Sequence, residues 1–336
     1  MSSRLKERNI VKKTILRLLA GALFLACVAA LPAAAQVRFF VKFKSSFDQY
    51  PESIAIDKKG NIYVSHLDQK GGVAEVVKVT RRGKASVLAT LPQGNMLGVA
   101  TDSKGNVYAL LNAKDPADKG LWRVTPNGKT KLLASFPAAS MINALAFDRR
   151  GNLYITDSYK SDIYRVAPDG SSSVWLHDPA ALGGVKTSAC GTFPAGALGA
   201  NGIALYKGSF YVLNTSRGMV ARIPLERDGK PGKPEVFAKP TCELWGADGQ
   251  AFDNRGNLYV AVNIQNKIAK IDPAGHVSIV AAKSAAVPLY TPTAIAFGTT
   301  RKTRRIMFIA DSTIFIPGAQ AGVVTLKAGA RGQPLP

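Results

Sequence analysis

One position recurs six times in this chain, and four of its six occupants carry side-chain oxygens able to bind a cation. The segments ESIAID, LGVATD, NALAFD, NGIALY, DGQAFD and TAIAFG begin at Glu52, Leu97, Asn143, Asn201, Asp248 and Thr293. Glu52 and Asp248 offer carboxylates, and Asn143 and Asn201 offer amide carbonyls. Such a set suits a hard divalent cation. Ca²⁺ takes six to eight oxygens at about 2.3–2.6 Å, with water or a ligand completing the shell. No His or Cys occupies the register, which points away from a zinc site of the usual N/S type. Ca²⁺ is therefore the first expectation, with Zn²⁺, Mg²⁺ and Mn²⁺ left open. The same four residues also fit a polar tunnel that holds only water.

The elements that must position these residues follow from the spacing. The six positions lie 45 to 58 residues apart. That period, with several short strands per unit, is the signature of a β-propeller. In the third unit NALAFD reads as the first strand, Arg149-Arg150-Gly151-Asn152 as a tight turn, and LYITDS, DIYRVA and SSVWLH as the next three strands. The first strand of each sheet lines the tunnel of a propeller, so equivalent positions form a ring around the axis. The last unit ends on GVVTLK, one strand short. The segment VRFFVKF, from Val37 to Phe43, is expected to supply that strand and close the ring, leaving no open edge. The expected fold is all-β, a six-bladed propeller over residues 36–336.

Residues 1–35 read differently. Arg4, Lys6, Arg8, Lys12, Lys13 and Arg17 precede an apolar run from Leu18 to Leu31, and Ala33-Ala34-Ala35 follows Pro32. This pattern predicts a cleaved secretory signal and a periplasmic or secreted protein. The run falls short of the ~20 residues of a membrane span, and no other segment qualifies. In an oxidising compartment Cys190 and Cys242 are expected to pair, the alternative being two free thiols. The stretch Asp178–Ala200 around Cys190 is expected as an extended loop on the side where the inner strands begin.

The formal net charge is +22. Basic residues cluster in the turns after the inner strands, among them Lys58, Lys59, Arg149, Arg150, Arg301 and Lys302. That face is a candidate for docking to an anionic envelope surface. Aromatic residues do not interleave with these bases, so nucleic acid is not an expected partner.

The segments ADGQAFDNRGNLYVAVNIQNKIAKIDPAG (Ala247 to Gly275) and ANGIALYKGSFYVLNTS (Ala200 to Ser216) resemble the senescence marker protein–gluconolactonase–regucalcin family. The resemblance spans the six repeats and is sharpest over Asn201–Gly275. It implies a six-bladed propeller with one divalent cation in the tunnel, acting on a small-molecule lactone or ester. By motif, Glu52, Asn143, Asn201 and Asp248 match the family's metal-binding positions. It further implies that the cation polarises the carbonyl while Asp248 takes a proton from the attacking water, or serves only as a ligand. Ser140-Met141-Ile142-Asn143-Ala144 lacks the Arg and Asp-Gly that flank this Asn in acid-sugar lactonases. Pro51-Glu52-Ser53 also looks like the strictosidine-synthase-like propellers, and a non-catalytic propeller that binds a ligand or partner protein is the main alternative. His66, Asp157, Asn214, Asn263 and Asp311 end second strands on the ligand side and are candidate pocket residues, as is Trp245.

Overall fold

The computed structural model describes residues 37–43, 49–68, 72–316 and 318–334. The expected signal segment, residues 1–35, lies outside the described residues. The described chain is a ring of antiparallel sheets, a β-propeller. Four sheets have four strands, one has seven, and a two-stranded hairpin stands apart. The seven-stranded sheet is continuous because one strand, Ala85–Thr101, serves twice. It pairs with Val73–Val79 through Ala85–Gln93 and with Val107–Ala113 through Gly94–Thr101. Gly94 stands at the junction with φ of 154°.

The inner strands are Gln49–Ile56, the second half of Ala85–Thr101, Ile142–Phe147, Ala200–Tyr206, Ala247–Phe252 and Pro292–Phe297. Each lies against the next, and the last lies against the first. At the other margin of the last sheet, Arg38–Lys42 pairs with Gly322–Lys327 as the outermost strand.

Hydrophobic pattern explains this layering. The second strands Leu153–Asp157, Ser209–Asn214 and Leu258–Val262 are buried at every position. A short continuous apolar run is what a strand covered on both faces requires. Outer strands such as Ser172–His177 are exposed or half-buried throughout. Tyr154 packs on Phe210 of the next sheet at 4.3 Å and on Trp175 of its own sheet at 4.9 Å. Each such buried side chain contributes roughly 1.5–3 kcal/mol.

The turns after four inner strands share one construction. Asp57, Asp102, Asp148 and Asp253 each accept two backbone N–H groups at Oδ1, from the second and fourth residues on. Their Oδ2 atoms accept from the Asn side chain four residues on, at 2.7–2.8 Å. A following Tyr hydroxyl adds a further bond in each. These carboxylates are therefore directed into the turn, and the basic residues between them point outward.

Asp178–Ala200 is more ordered than the extended loop expected. Asp178 caps a one-turn helix, Pro179–Leu182, by accepting from Ala181 N–H at 2.9 Å. An Asp followed by Pro is a helix-start signal. A hairpin of Thr187–Ser188 and Gly191–Thr192 follows, and a disulfide joins Cys190 to Cys242 with Cα atoms 5.4 Å apart. Among the described residues no helix is long and apolar enough to cross a membrane.

Candidate functional site

The inner strands are stitched at their first residues, where the six recurring positions lie. Hydroxyls and one amide from second strands donate to carbonyls of the next inner strand. Ser65 Oγ bonds Leu97 O, and Asn112 Nδ2 bonds Ile142 O at 2.8 Å. Ser158 Oγ bonds Ala200 O at 2.6 Å, and Thr215 Oγ1 bonds Ala247 O at 2.8 Å. Thr293 Oγ1 bonds Pro51 O at 3.3 Å, which joins the last inner strand to the first.

Three glycines let the inner strands approach: a Cβ on Gly98 would lie 2.6 Å from Asn143 O. A Cβ on Gly202 would lie 2.3 Å from Asp248 O, and one on Gly249 would lie 2.6 Å from Thr293 O. Asn201, Asp248 and Thr293 thus follow one another around the ring at backbone contact. The glycines after Leu97, Asn201 and Asp248 are a packing requirement.

The same hydroxyls orient the amides. Asn143 Nδ2 donates to Ser158 Oγ and Asn201 Nδ2 donates to Thr215 Oγ1, both at 3.0 Å. With the amide nitrogens held by the wall, the carbonyl oxygens are the atoms left for a ligand. Asn143, Asn201 and Asp248 are buried. Asn263 Nδ2 donates to Asp248 Oδ2 at 2.9 Å.

Electrostatics tie Glu52 to the same place. Burial pushes the Glu52 carboxyl well above the ordinary range, and the neighbouring Asp248 carboxylate pushes it further. Burial raises Asp248 to about 7, opposed by hydrogen bonds from Asn263 and Asn201. Two repelling acids, Asp248 buried and Glu52 half-buried, are stabilised in their ionised forms by a positive charge. Among the described residues no Lys, Arg or His forms an ion pair with either. Nor do three or more His, Cys, Asp or Glu side chains gather into a metal-binding group. Two carboxylates with two amide oxygens is a donor set that fits a hard, oxygen-preferring cation.

The other candidate residues fall into two groups. Asn263 joins the site through Asp248. His66 pairs in register with Pro51, next to Glu52, and packs edge-on against Phe43 at 5.2 Å. Burial lowers its pKa to about 4, so the ring is neutral near pH 7. Asp311 accepts Tyr290 N–H at Oδ1 at 2.6 Å, and burial pushes its carboxyl up to about 8.

Asp157, Asn214 and Trp245 are engaged structurally. Asp157 Oδ1 accepts from the N–H groups of Met141, Tyr159 and Lys160 at 3.0–3.1 Å. Asn214 accepts Arg217 N–H and donates to Ala181 O and Gly183 O, anchoring the short helix. Trp245 packs edge-on against Phe193 at 5.5 Å, beside the disulfide-closed hairpin. Sequence reasoning passed over Ser65, Ser158 and Thr215. Their signal was a hydroxyl recurring just after or within the last residues of the second strands, in SHL, DSY and NTS.

Residues 179–312 match the SMP-30/Gluconolactonase/LRE-like region. The matched stretch holds Asn201 and Asp248 but neither Glu52 nor Asn143. The calcium-binding protein regucalcin from Agrobacterium tumefaciens is similar in fold, with TM-score 0.67 and 19% identity over 90% of this chain and 97% of that one. A gluconolactonase from Xanthomonas campestris gives TM-score 0.60 and 18% identity over 92% and 93%. An auxiliary nutrient binding protein from Bacteroides ovatus gives 0.65 and 12% over 87% and 76%. Nothing among curated proteins matches the sequence. The chain is thus similar to gluconolactonase- and regucalcin-like propellers.

Proposed function

We propose that the chain is an exported, divalent-cation-dependent lactonase or carboxylic-ester hydrolase on a six-bladed propeller. The observation that carries this reading is the meeting of half-buried Glu52 with buried Asp248, two carboxylates without a basic partner among the described residues. In this reading the seven-stranded sheet counts as two blades sharing Ala85–Thr101, and Arg38–Lys42 closes the ring. Residues 1–35 serve as the export signal, in keeping with a disulfide between Cys190 and Cys242.

Glu52, Asn143, Asn201 and Asp248 would hold the cation, Ca²⁺ in the first instance. When bound it supplies Lewis-acid polarisation of the substrate carbonyl. The protein's own part is orientation and proton handling. Ser158 and Thr215 fix the two amides so that their oxygens face the ligand. Asn263 donates to Asp248 Oδ2 and so orients the carboxylate that would take the proton from attacking water. Without a cation, burial raises Asp248; the charge of a bound cation would favour its ionised form, the form that can accept a proton.

A binding propeller without turnover remains the competing reading, in line with the nutrient-binding protein among the fold neighbours. Calorimetric titration with Ca²⁺ tests the cation site itself. One site per chain is expected, weakened at least tenfold in Glu52→Gln and in Asp248→Asn. Equal affinity in the wild type and both variants would remove the basis for the proposal.

A further inference from the structure

The end of the ring opposite Asp248 carries a charge sector that the hydrolase reading does not use. The turns at 57–61, 80–84, 102–106 and 125–129 of the seven-stranded sheet emerge there, beside the 298–306 loop of the last sheet. Arg301, Lys302 and Arg305 are exposed in that loop, with Arg304 half-buried between them. Arg331, from the C-terminal tail, completes the group. Its carbonyl accepts Asn254 N–H, and the next residue, Gly332, donates to Arg304 O.

Arg304 feels the crowding. Its guanidinium is held below the usual arginine range by desolvation and then by Arg331, Arg301 and Arg305. Among the described residues none of these arginines has an ion pair. The acids of the neighbouring turns offer no relief. Asp57 and Asp102 are folded into their turns, both oxygens taken by backbone, Asn and Tyr donors. The sheets across the ring differ. Their turns expose Asp169, Glu226 and Asp228, and Asp228 pairs with Lys230 at 3.3 Å.

Basic residues such as Arg149, Arg150 and Arg255 are also exposed on this face, but the sector around the 298–306 loop is the part without exposed acids beside it, and it is built from the tips of neighbouring turns. The large apolar side chains that are exposed, such as Tyr159 and Phe315, lie at the other end or on outer strands. A row of tips without aromatic platforms suits a broad anionic sheet better than a threaded nucleic-acid strand. Val37, where the described chain enters the ring, is on this side. Arg38 pairs near Lys327, whereas Lys42 pairs with Gly322 at the site end.

We propose that this sector, centred on Arg301, Arg304, Arg305 and Arg331, docks the propeller onto anionic phospholipid headgroups with the hydrolytic end facing away from the membrane. Flotation of the full chain with vesicles of phosphatidylcholine, with and without phosphatidylglycerol, tests it. Any contribution of residues 18–31 is common to both vesicle types and cancels in the comparison. Binding is expected to require phosphatidylglycerol and to fall as salt rises, because the attraction is screened. Arg301→Ser/Arg305→Ser is expected to lower partitioning by about tenfold or more. Arg149→Ser/Arg150→Ser removes equal charge beside the acidic turns and should change it less than threefold. Melting curves like the wild type's establish that both variants fold. Equal binding to both vesicle types, equal loss in both double variants, or full competition by millimolar glycerol phosphate would each overturn the proposal.

Discussion

Replacing Gly202 by Ala tests the geometry of the site without touching a ligand atom. The added Cβ would stand 2.3 Å from Asp248 O and 3.0 Å from Leu213 Cδ1. Ordinary contact begins near 3.4 Å, so the neighbouring strand must yield by about 1 Å. Leu213 is a flexible side chain and can turn aside. The Asp248 carbonyl belongs to a strand pinned by Thr215 Oγ1 at the preceding residue, so the shift passes into Asp248 itself. A misplacement of that size costs on the order of 100-fold in rate. Overpacking of this kind also costs about 1–3 kcal/mol of stability. Lactone hydrolysis by Gly202→Ala should therefore fall by about 100-fold in kcat/KM, with a modest drop in Tm. Gly329→Ala has nothing within 4 Å and should change neither. A folded Gly202→Ala enzyme with wild-type kcat/KM would refute the reasoning, because Asp248 could then be moved without consequence.

Further expectations concern charge and covalent closure. Asp248→Asn and Glu52→Gln should each reduce turnover at least 100-fold while raising the melting temperature of the chelated protein, since each removes one of two repelling acids. The raised pKa of Asp248 means the folded state holds its proton longer than the unfolded chain does. Its stabilising contribution is present below pH ~4 and is lost as pH rises through about 7. Calcium affinity should rise over the same interval, as titration at pH 6 and pH 8 would record. His66 acts oppositely. Its folded pKa of about 4 makes stability fall as pH drops from ~6.5 toward 4, and His66→Gln should flatten that limb of the acid melting curve. Reducing the Cys190–Cys242 bond opens a loop with a sequence separation of 52, and the chain-entropy model gives a loss of about 4 kcal/mol. Cys190→Ser with Cys242→Ser should reproduce the loss in chemical denaturation.

The recurring first position was legible because propeller sheets repeat, and equal spacing places equivalent residues at equal height. The second strand LYVAV has no polar side, which is the pattern of a strand buried on both faces. What the sequence concealed was how each polar group divides its hydrogen bonds. Asp157 and Asn214 read as pocket residues from their place at strand ends, and in the structure the Oδ1 atom of each also accepts backbone N–H groups two or three residues on. The patterns Asp157-Ser-Tyr-Lys160 and Asn214-Thr-Ser-Arg217 carry the Asx-turn signal that would have separated them from Asp248. The merging of two repeats into one seven-stranded sheet was also hidden. It depends on Gly94 carrying the chain from one pairing partner to the next without a break. The amide orientations at Asn143 and Asn201 depend on hydroxyls 14 or 15 residues later, a relation visible only once register is fixed.

The most direct test of the central claim is hydrolysis of a panel of lactones and aryl esters by this protein with calcium, after chelation, and after calcium is restored. The account predicts turnover that disappears with the chelator, returns with the ion, and is absent throughout in Asp248→Asn. Turnover indifferent to chelation, or none for any panel member with Ca²⁺, Mg²⁺, Mn²⁺ or Zn²⁺, would contradict it.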